Sequence, residues 1–205
     1  MAQSTAQANK SKAITLKGSA ELIGEFFEYG VNCILFQRGL YPMESFDRKI
    51  AYDVPVFVST NTDLNDYLHK FIEQMKDWLV KKTIQRIVLV ITSVAKKVDV
   101  ERWTFNIECD KTANETTEQT TKPVKEVRKE MQAVIKQIVS TVTFLPILDE
   151  RCTFDLLVYT DADSEVPALW EDGEEHYISN AEEVKLKSFS TLLHKVDMAV
   201  CYKVS

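Results

Sequence analysis

Glycine is scarce in this chain: five residues in 205, and none near another. That spacing excludes the glycine-rich turns that cradle phosphates or dinucleotides, because those need several glycines within a few residues. Histidine is equally sparse. His69, His176 and His194 stand alone, with no HExxH zinc signature and no GxSxG nucleophile turn. Nothing here predicts an enzyme or a cofactor. The four cysteines, Cys33, Cys109, Cys152 and Cys201, are widely spaced and form no CxxC pair. They read as free, buried thiols of a reducing compartment rather than as disulfides or metal ligands. No apolar run approaches the roughly 20 residues that cross a bilayer. The first thirteen residues, MAQSTAQANKSKA, lack the apolar core of a secretory signal and read as a flexible tail.

One further absence is local. From Cys152 through Val184 there is no Lys or Arg, while ten Asp and Glu occur. With a net charge of −6, general nucleic-acid binding is not expected. The acidic stretch suits a basic partner. Asp161-Ala-Asp163-Ser-Glu165 begins like a calcium loop, but Val166 replaces the sixth-position Gly and Asp172 the twelfth-position Glu. The tight turn and the long bidentate ligand are both missing, so no metal site is expected.

What is present is enough apolar and aromatic content, 45% and 10%, to fill the core of one domain of this length. A short strand is expected over Ile14 to Leu16. A helix follows, starting near Gly18-Ser19, with Ile23, Phe26, Phe27, Val31, Ile34 and Leu35 at helical spacing and Gly39 and Pro42 ending it. Phe46 to Val58 alternates and reads as strands, with Pro55 forcing an edge or a break. Asn61 or Thr62 caps a second helix, whose stripe is Leu64, Tyr67, Leu68, Phe71, Ile72, Met75, Trp78 and Leu79. Ile84 to Ile91 is a nearly continuous β-branched run, the mark of a strand buried on both faces. Trp103, Phe105 and Ile107 alternate with polar residues, as in a half-exposed strand. A polar, Thr-rich stretch, Asp110 to Lys122, precedes a third helix with Pro123 in its first turn. Its stripe is Val124, Val127, Met131, Val134, Ile135, Ile138 and Val142. The strand Thr153 to Tyr159 and a C-terminal hairpin complete the set. Three helices against one mainly antiparallel sheet make an α+β fold.

Two places read as functional. The strand Thr153 to Tyr159 is either an ordinary core strand or an edge that accepts a partner strand. The long acidic segment after it, rich in Val, Tyr and Trp, favours an edge covered by something movable. The third helix carries Lys125, Arg128, Lys129, Lys136 and Gln137 on its polar face. Phe144 and Pro146 at its end extend that face into a candidate interface.

Four collinear segments add a family. GSAELIGEFFEYGVNCILFQRGLYP, YLHKFIEQMKDWLV, RWTFNIECDK and VIKQIVSTVTFLPILDERCTFDLLVYTD resemble the HORMA family, and within it the spindle-checkpoint branch. The likeness runs from about Ile14 to Val204. It implies a HORMA domain over 14–205 behind the flexible tail, with residues 160–205 as a mobile, β-rich safety belt. In one conformer the belt blocks the ligand edge; in the other it lies across the sheet and wraps a peptide strand. The resemblance places the peptide edge and belt contacts at Phe154, Leu156, Val158, Tyr159, Trp170, His194 and Tyr202. It places a dimer interface at Lys136, Gln137, Phe144 and Lys187, and a conformational switch at Leu16. Lys136 and Lys187 stand where the family usually has Arg, which keeps the charge and loses the bidentate fork.

The implied partners are the kinetochore coiled-coil Mad-one protein and the anaphase-promoting complex co-activator. To these the resemblance adds a Bub-family kinase-like checkpoint protein, a HORMA-remodelling AAA+ ATPase with its adaptor, and a second copy of the chain in the other conformer. The implied outcome is inhibition of that ubiquitin ligase and delay of anaphase. The implied location is the nucleus, kinetochore and cytoplasm, with the nuclear envelope when bound to Mad-one. Other readings keep the fold but change the pathway, to a translesion DNA polymerase subunit or another HORMA adaptor. A small enzyme with an acidic site and a structural subunit of fixed conformation are the remaining readings.

Overall fold

The computed structural model describes residues 14–112, 122–168, 170, 173 and 176–204. The expected tail and most of the expected polar stretch before the third helix lie outside the described residues.

Helix α1 spans Leu16–Gln37 and runs through the centre of the molecule. No strand precedes it, contrary to the expectation for Ile14 to Leu16. The Thr15 hydroxyl accepts the Gly18 N–H at 3.0 Å, so Thr15 is the cap and the helix starts at Leu16, ahead of the expected Gly18-Ser19. Such a cap satisfies an otherwise orphaned donor and is worth about 1 kcal/mol. α1 is buried nearly all round, against α2 (Thr62–Lys81), α3 (Val124–Ser140) and strand β2 (Val54–Ser59). At Gly24 an added Cβ would sit 3.1 Å from Lys76 Cδ and 3.3 Å from Ile72 Cγ2. The glycine weakens the helix intrinsically but permits the close crossing of α1 and α2.

Strand β1 (Phe46–Ala51) pairs with β2 through a two-residue turn, Tyr52-Asp53, both at positive φ. Pro55 lies opposite Ile50 in this two-stranded ribbon, where a missing donor is tolerated. The Asn61 side chain caps α2 by accepting Leu64 N–H at 2.9 Å. Its expected stripe is buried except for Tyr67, which is partly exposed.

The main sheet is antiparallel throughout, in the order β5-β3-β4-β8-β6. Its strands are β3 (Ile84–Ser93), β4 (Val98–Cys109), β5 (Cys152–Thr160), β6 (Ala181–Lys185) and β8 (His194–Lys203). The two-residue β7 (Phe189–Ser190) pairs with β8. In β3, Ile87, Leu89 and Ile91 pack into the helical core, while Val88 and Val90 point the other way and are buried at 3% and 0% exposure. The both-faces reading of this strand holds.

α3 buries Val127, Met131, Val134, Ile135 and Ile138. Val124 and Val142, expected on that stripe, are exposed. Val124 opens the first turn, with Pro123 as cap rather than inside the helix. Val142 lies past the helix, in the 3-10 turn Thr141–Thr143, whose tighter winding takes it off the stripe.

All four cysteines are free, but only Cys33 is buried. Burial pushes the Cys33 thiol up to about 12 and that of half-buried Cys109 to about 11, which makes both poor nucleophiles.

Candidate peptide-binding edge

β5 pairs with β3 on one side, and among the described residues no strand pairs with its other side. Its side chains alternate. Phe154, Leu156 and Val158 lie toward the helices, in register with Ile91, Leu89 and Ile87. The Phe154 ring sits 6.3 Å from Tyr41 and 6.1 Å from Tyr67, so the partly exposed tyrosine of α2 belongs to this edge. Tyr159 lies on the other face under the Arg86 guanidinium, 5.5 Å away. Among the described residues no strand covers the outer main chain of β5; the Tyr67 hydroxyl engages it at Leu156, beside an aromatic shelf.

The segment after β5 encloses this edge. It starts at Asp161, whose N–H donates to Thr83 O at 2.7 Å. The Asp161 carboxylate accepts from Gln85 Nε2 at 2.6 Å and Lys111 Nζ at 3.0 Å. These bonds lower its pKa, the Gln85 bond most. The chain then climbs onto α2. Trp78 Nε1 donates to Glu165 O at 3.3 Å, and the Trp170 ring packs 4.9 Å from Trp78 and 5.5 Å from Phe71. By Gly173 the chain has reached the other face of the sheet, since a Cβ there would lie 3.0 Å from Leu157 Cδ2. It has passed around the outside of β5. Across the open face, Arg102 Nη1 donates to His176 O at 3.0 Å, and Arg102 shares the register position of Val90. Ile178 is buried next, and β6 then joins β8 at the far edge. Covalent chain and paired strands make a closed ring around the free edge of β5. Such a ring can hold an extended peptide as an added strand.

The expected belt residues beyond Trp170 lie on the C-terminal strand. His194 and Tyr202 are on β8, which β4 and β3 separate from β5. Strand order, which spacing in a sequence does not encode, puts them there. His194 is buried under α1 and α2. Its Nδ1 lies 2.7 Å from Ser19 Oγ, and its Nε2 is 3.1 Å from Leu79 O. The carbonyl can only accept, so Nε2 carries the hydrogen and Nδ1 accepts from Ser19. Burial holds the His194 pKa below the usual range. Ser19 Oγ also lies 2.6 Å from Thr191 Oγ1, and Leu16 packs on Leu193. The first turn of α1, where the switch residue was expected, is thus a latch for the loop entering β8.

Tyr202 instead stands with the expected dimer residues. Its ring is 6.2 Å from Phe144, which is 42% exposed. Gln137 Oε1 accepts the Lys187 N–H, and Lys136 is exposed on α3 beside it. Val142 and Ile147 are exposed at the same end.

A buried ion pair stands apart from all the expected site residues. Arg38 Nη2 lies 2.9 Å from Glu101 Oε2, with side chains only 4% and 1% exposed. Trp103 Nε1 donates to Glu101 Oε1 at 2.6 Å, and Arg38 Nη2 also donates to Pro146 O. Burial raises the Glu101 pKa and Arg38 opposes the rise. The signal was available: Glu101 falls in the inward phase of Trp103, Phe105 and Ile107. The pair ties the end of α1 to β4 and to the turn before β5. No group of side chains suited to a metal occurs among the described residues.

A family model described as HORMA domain matches residues 19–194. The human protein "Mitotic spindle assembly checkpoint protein MAD2A" is 47% identical over 198 residues, 97% of each chain. The Schizosaccharomyces pombe protein "Mitotic spindle checkpoint component mad2" is 47% identical over 192 residues, 93% of this chain and 95% of that one. A chain of a structure titled "Crystal Structure of Mitotic Checkpoint Complex" superposes with a TM-score of 0.82 at 46% identity, covering 91% of this chain and 99% of that chain.

Proposed function

The chain belongs to the HORMA domain family, and we propose that it is a spindle assembly checkpoint signalling protein that captures a partner's peptide as an added strand on β5. The observation that carries this reading is the strand-free outer edge of β5, with Glu165 and Trp170 on the helix side of it, Gly173 and His176 on the other face, and the chain rejoining the sheet through the β6–β8–β4 pairing. Main-chain bonds to β5 would supply affinity, and the Tyr41, Tyr67 and Phe154 shelf would take side chains of the peptide. The chain acts by binding and not by catalysis.

In this reading residues 160–205 are the safety belt. The arrangement described, with β8 on β4 and β5 uncovered by a strand, is the capturing conformer. In a second conformer the C-terminal strands cover the β5 edge. Interchange then requires release of the latch at Leu16, Ser19 and His194. Two packings of one chain within a few kcal/mol of each other suffice for such a switch. The peptides come from the kinetochore coiled-coil Mad-one protein and from the anaphase-promoting complex co-activator, and holding the latter restrains that ubiquitin ligase and delays anaphase. The face at Lys136, Gln137, Phe144 and Lys187 pairs open with closed copies. A Bub-family kinase-like protein and a remodelling AAA+ ATPase with its adaptor are the remaining partners. The protein works in the nucleus, at kinetochores and in the cytoplasm, and at the nuclear envelope with Mad-one.

The test is a fluorescence titration with a labelled basic-aliphatic peptide, followed by a competitor chase. A ring that must open and close gives slow association and release over hours. Release within seconds, or no binding, overturns the reading.

A further inference from the structure

We infer that Asp99 on β4 and His176 in the crossing segment form a clasp that sets how long a peptide stays on β5. The inference rests on the peptide-capture reading. His176 Nδ1 lies 2.9 Å from Asp99 Oδ2, and the other Asp99 oxygen accepts from Thr92 Oγ1 at 2.8 Å, which fixes the carboxylate. The His176 carbonyl accepts from Arg102 Nη1 at 3.0 Å. One residue of the belt is thus held by both its side chain and its main chain, on two positions of the same strand.

The belt is too long to stay closed by its own length. A straight crossing from β5 to β6 covers four strand spacings, about 19 Å. The roughly twenty residues of 161–180 can reach about 65 Å. Its detour over α2, at Glu165 and Trp170, takes up part of the excess. Side chains must therefore hold the segment down. From residue 170 to residue 179, among the described residues, the contacts at His176 are the polar ones that pin it to the open face. A cavity of about 510 Å³ separates this point from the start of β5, lined by Thr153, Asp155, His176 and Tyr177. Lys97 and Lys203 complete the charged groups around it. Asp99 and His176 both line that opening, so the clasp stands in its wall. Both partners are mostly buried, 25% and 13% exposed, so water competes poorly for the bond.

Asp99 and His176 are positioning residues, so the test needs a readout that lost packing alone does not move. Release of the labelled peptide is timed by competitor chase for the parent, Asp99→Ala, His176→Ala, the double variant and His176→Gln. Hydrogen exchange of residues 161–180 is followed in the same proteins without peptide. Each Ala variant should release about three to ten times faster, the range expected for one such bond. The double variant should be no faster than the singles, because one interaction is lost only once. The Gln amide can still donate to Asp99 and should restore most of the slow release. Unchanged release, or additive effects in the double variant, overturns the clasp. If the parent binds no peptide, the capture reading fails and the exchange data decide alone: faster exchange in the Ala variants supports the clasp, and parent-like exchange overturns it.

Discussion

Lowering the pH should loosen the C-terminal strands, because His194 is neutral in the folded state. Its Nε2–H is committed to Leu79 O and its Nδ1 accepts from Ser19. Burial is the main cause that lowers its pKa, and the Leu79 bond only partly opposes it. The unfolded chain takes up this proton near the ordinary value of about 6.5, while the folded chain takes it up only at lower pH. Between the two values the unfolded state binds more protons, so stability falls as pH falls. The full contribution is present above about 6.5 and is lost as pH drops toward the folded value. One proton sets the steepest slope, about 1.4 kcal/mol per pH unit. The latch joins Ser19 on α1, Leu79 on α2 and Thr191 before β8, so the loss should appear first in β8. Urea unfolding from pH 7.5 to 5.0 measures the slope, and the His194 ring resonance reports its titration directly. His194→Asn removes this proton and should flatten the curve. A His194 ring that titrates at or above about 6.5, or an unchanged slope in His194→Asn, would refute the reasoning.

Three further perturbations test other parts of the structure. Glu101→Ala leaves the Arg38 guanidinium buried without its carboxylate and should cost about 3–5 kcal/mol in chemical unfolding, whereas a loss under 1 kcal/mol would mean that water replaces the partner. Lys136→Glu reverses an exposed charge on α3 and should abolish self-association while leaving peptide binding intact; unchanged sedimentation counts against that face. Deleting everything after Lys195 removes most of the strand that joins β6 to β4, so hours-long peptide retention should vanish, and its survival would sink the belt mechanism.

Local chemistry was legible in the sequence and strand order was not. The Asn61 cap, the α2 stripe and the doubly buried β3 all depend on neighbours within a few residues. The edge at Phe154 to Tyr159 was one of two readings of that strand, favoured because a long acidic segment follows it. Val124 and Val142 were misplaced because periodicity runs past the true helix ends, where a proline cap and a 3-10 turn reset the facing. Family resemblance placed His194 and Tyr202 in the belt. The strand that carries them, β8, pairs with β4, a choice made by contacts across 85 residues of chain or more, such as Trp103 with Val200. No window of sequence displays that pairing. Ser19 gave no warning either, since a serine in a first helical turn is ordinary until its hydroxyl is found against His194.

The ring around β5 has two closures of unequal strength, and this separates two events that a single closure would confuse. On one side stand the β8 pairings with β4 and β6 and the His194 latch, which join strand to strand along ten residues. On the other stands the contact of His176 with Asp99 and Arg102 on the open face. Breaking the first requires unpairing a whole strand and exposing Val196, Met198 and Val200, which are buried. Breaking the second requires the loss of those two hydrogen bonds and the release of Ile178 and Trp170 from their packing, with no strand unpaired. On the proposed function, peptide exchange should follow the weaker closure and conformer interchange the stronger one. Variants at Asp99 should then change peptide release without changing the rate at which β8 leaves β4, and variants at Ser19 should do the reverse. A protein in which both rates moved together would have one gate, and the division of labour drawn from these two sets of contacts would be wrong.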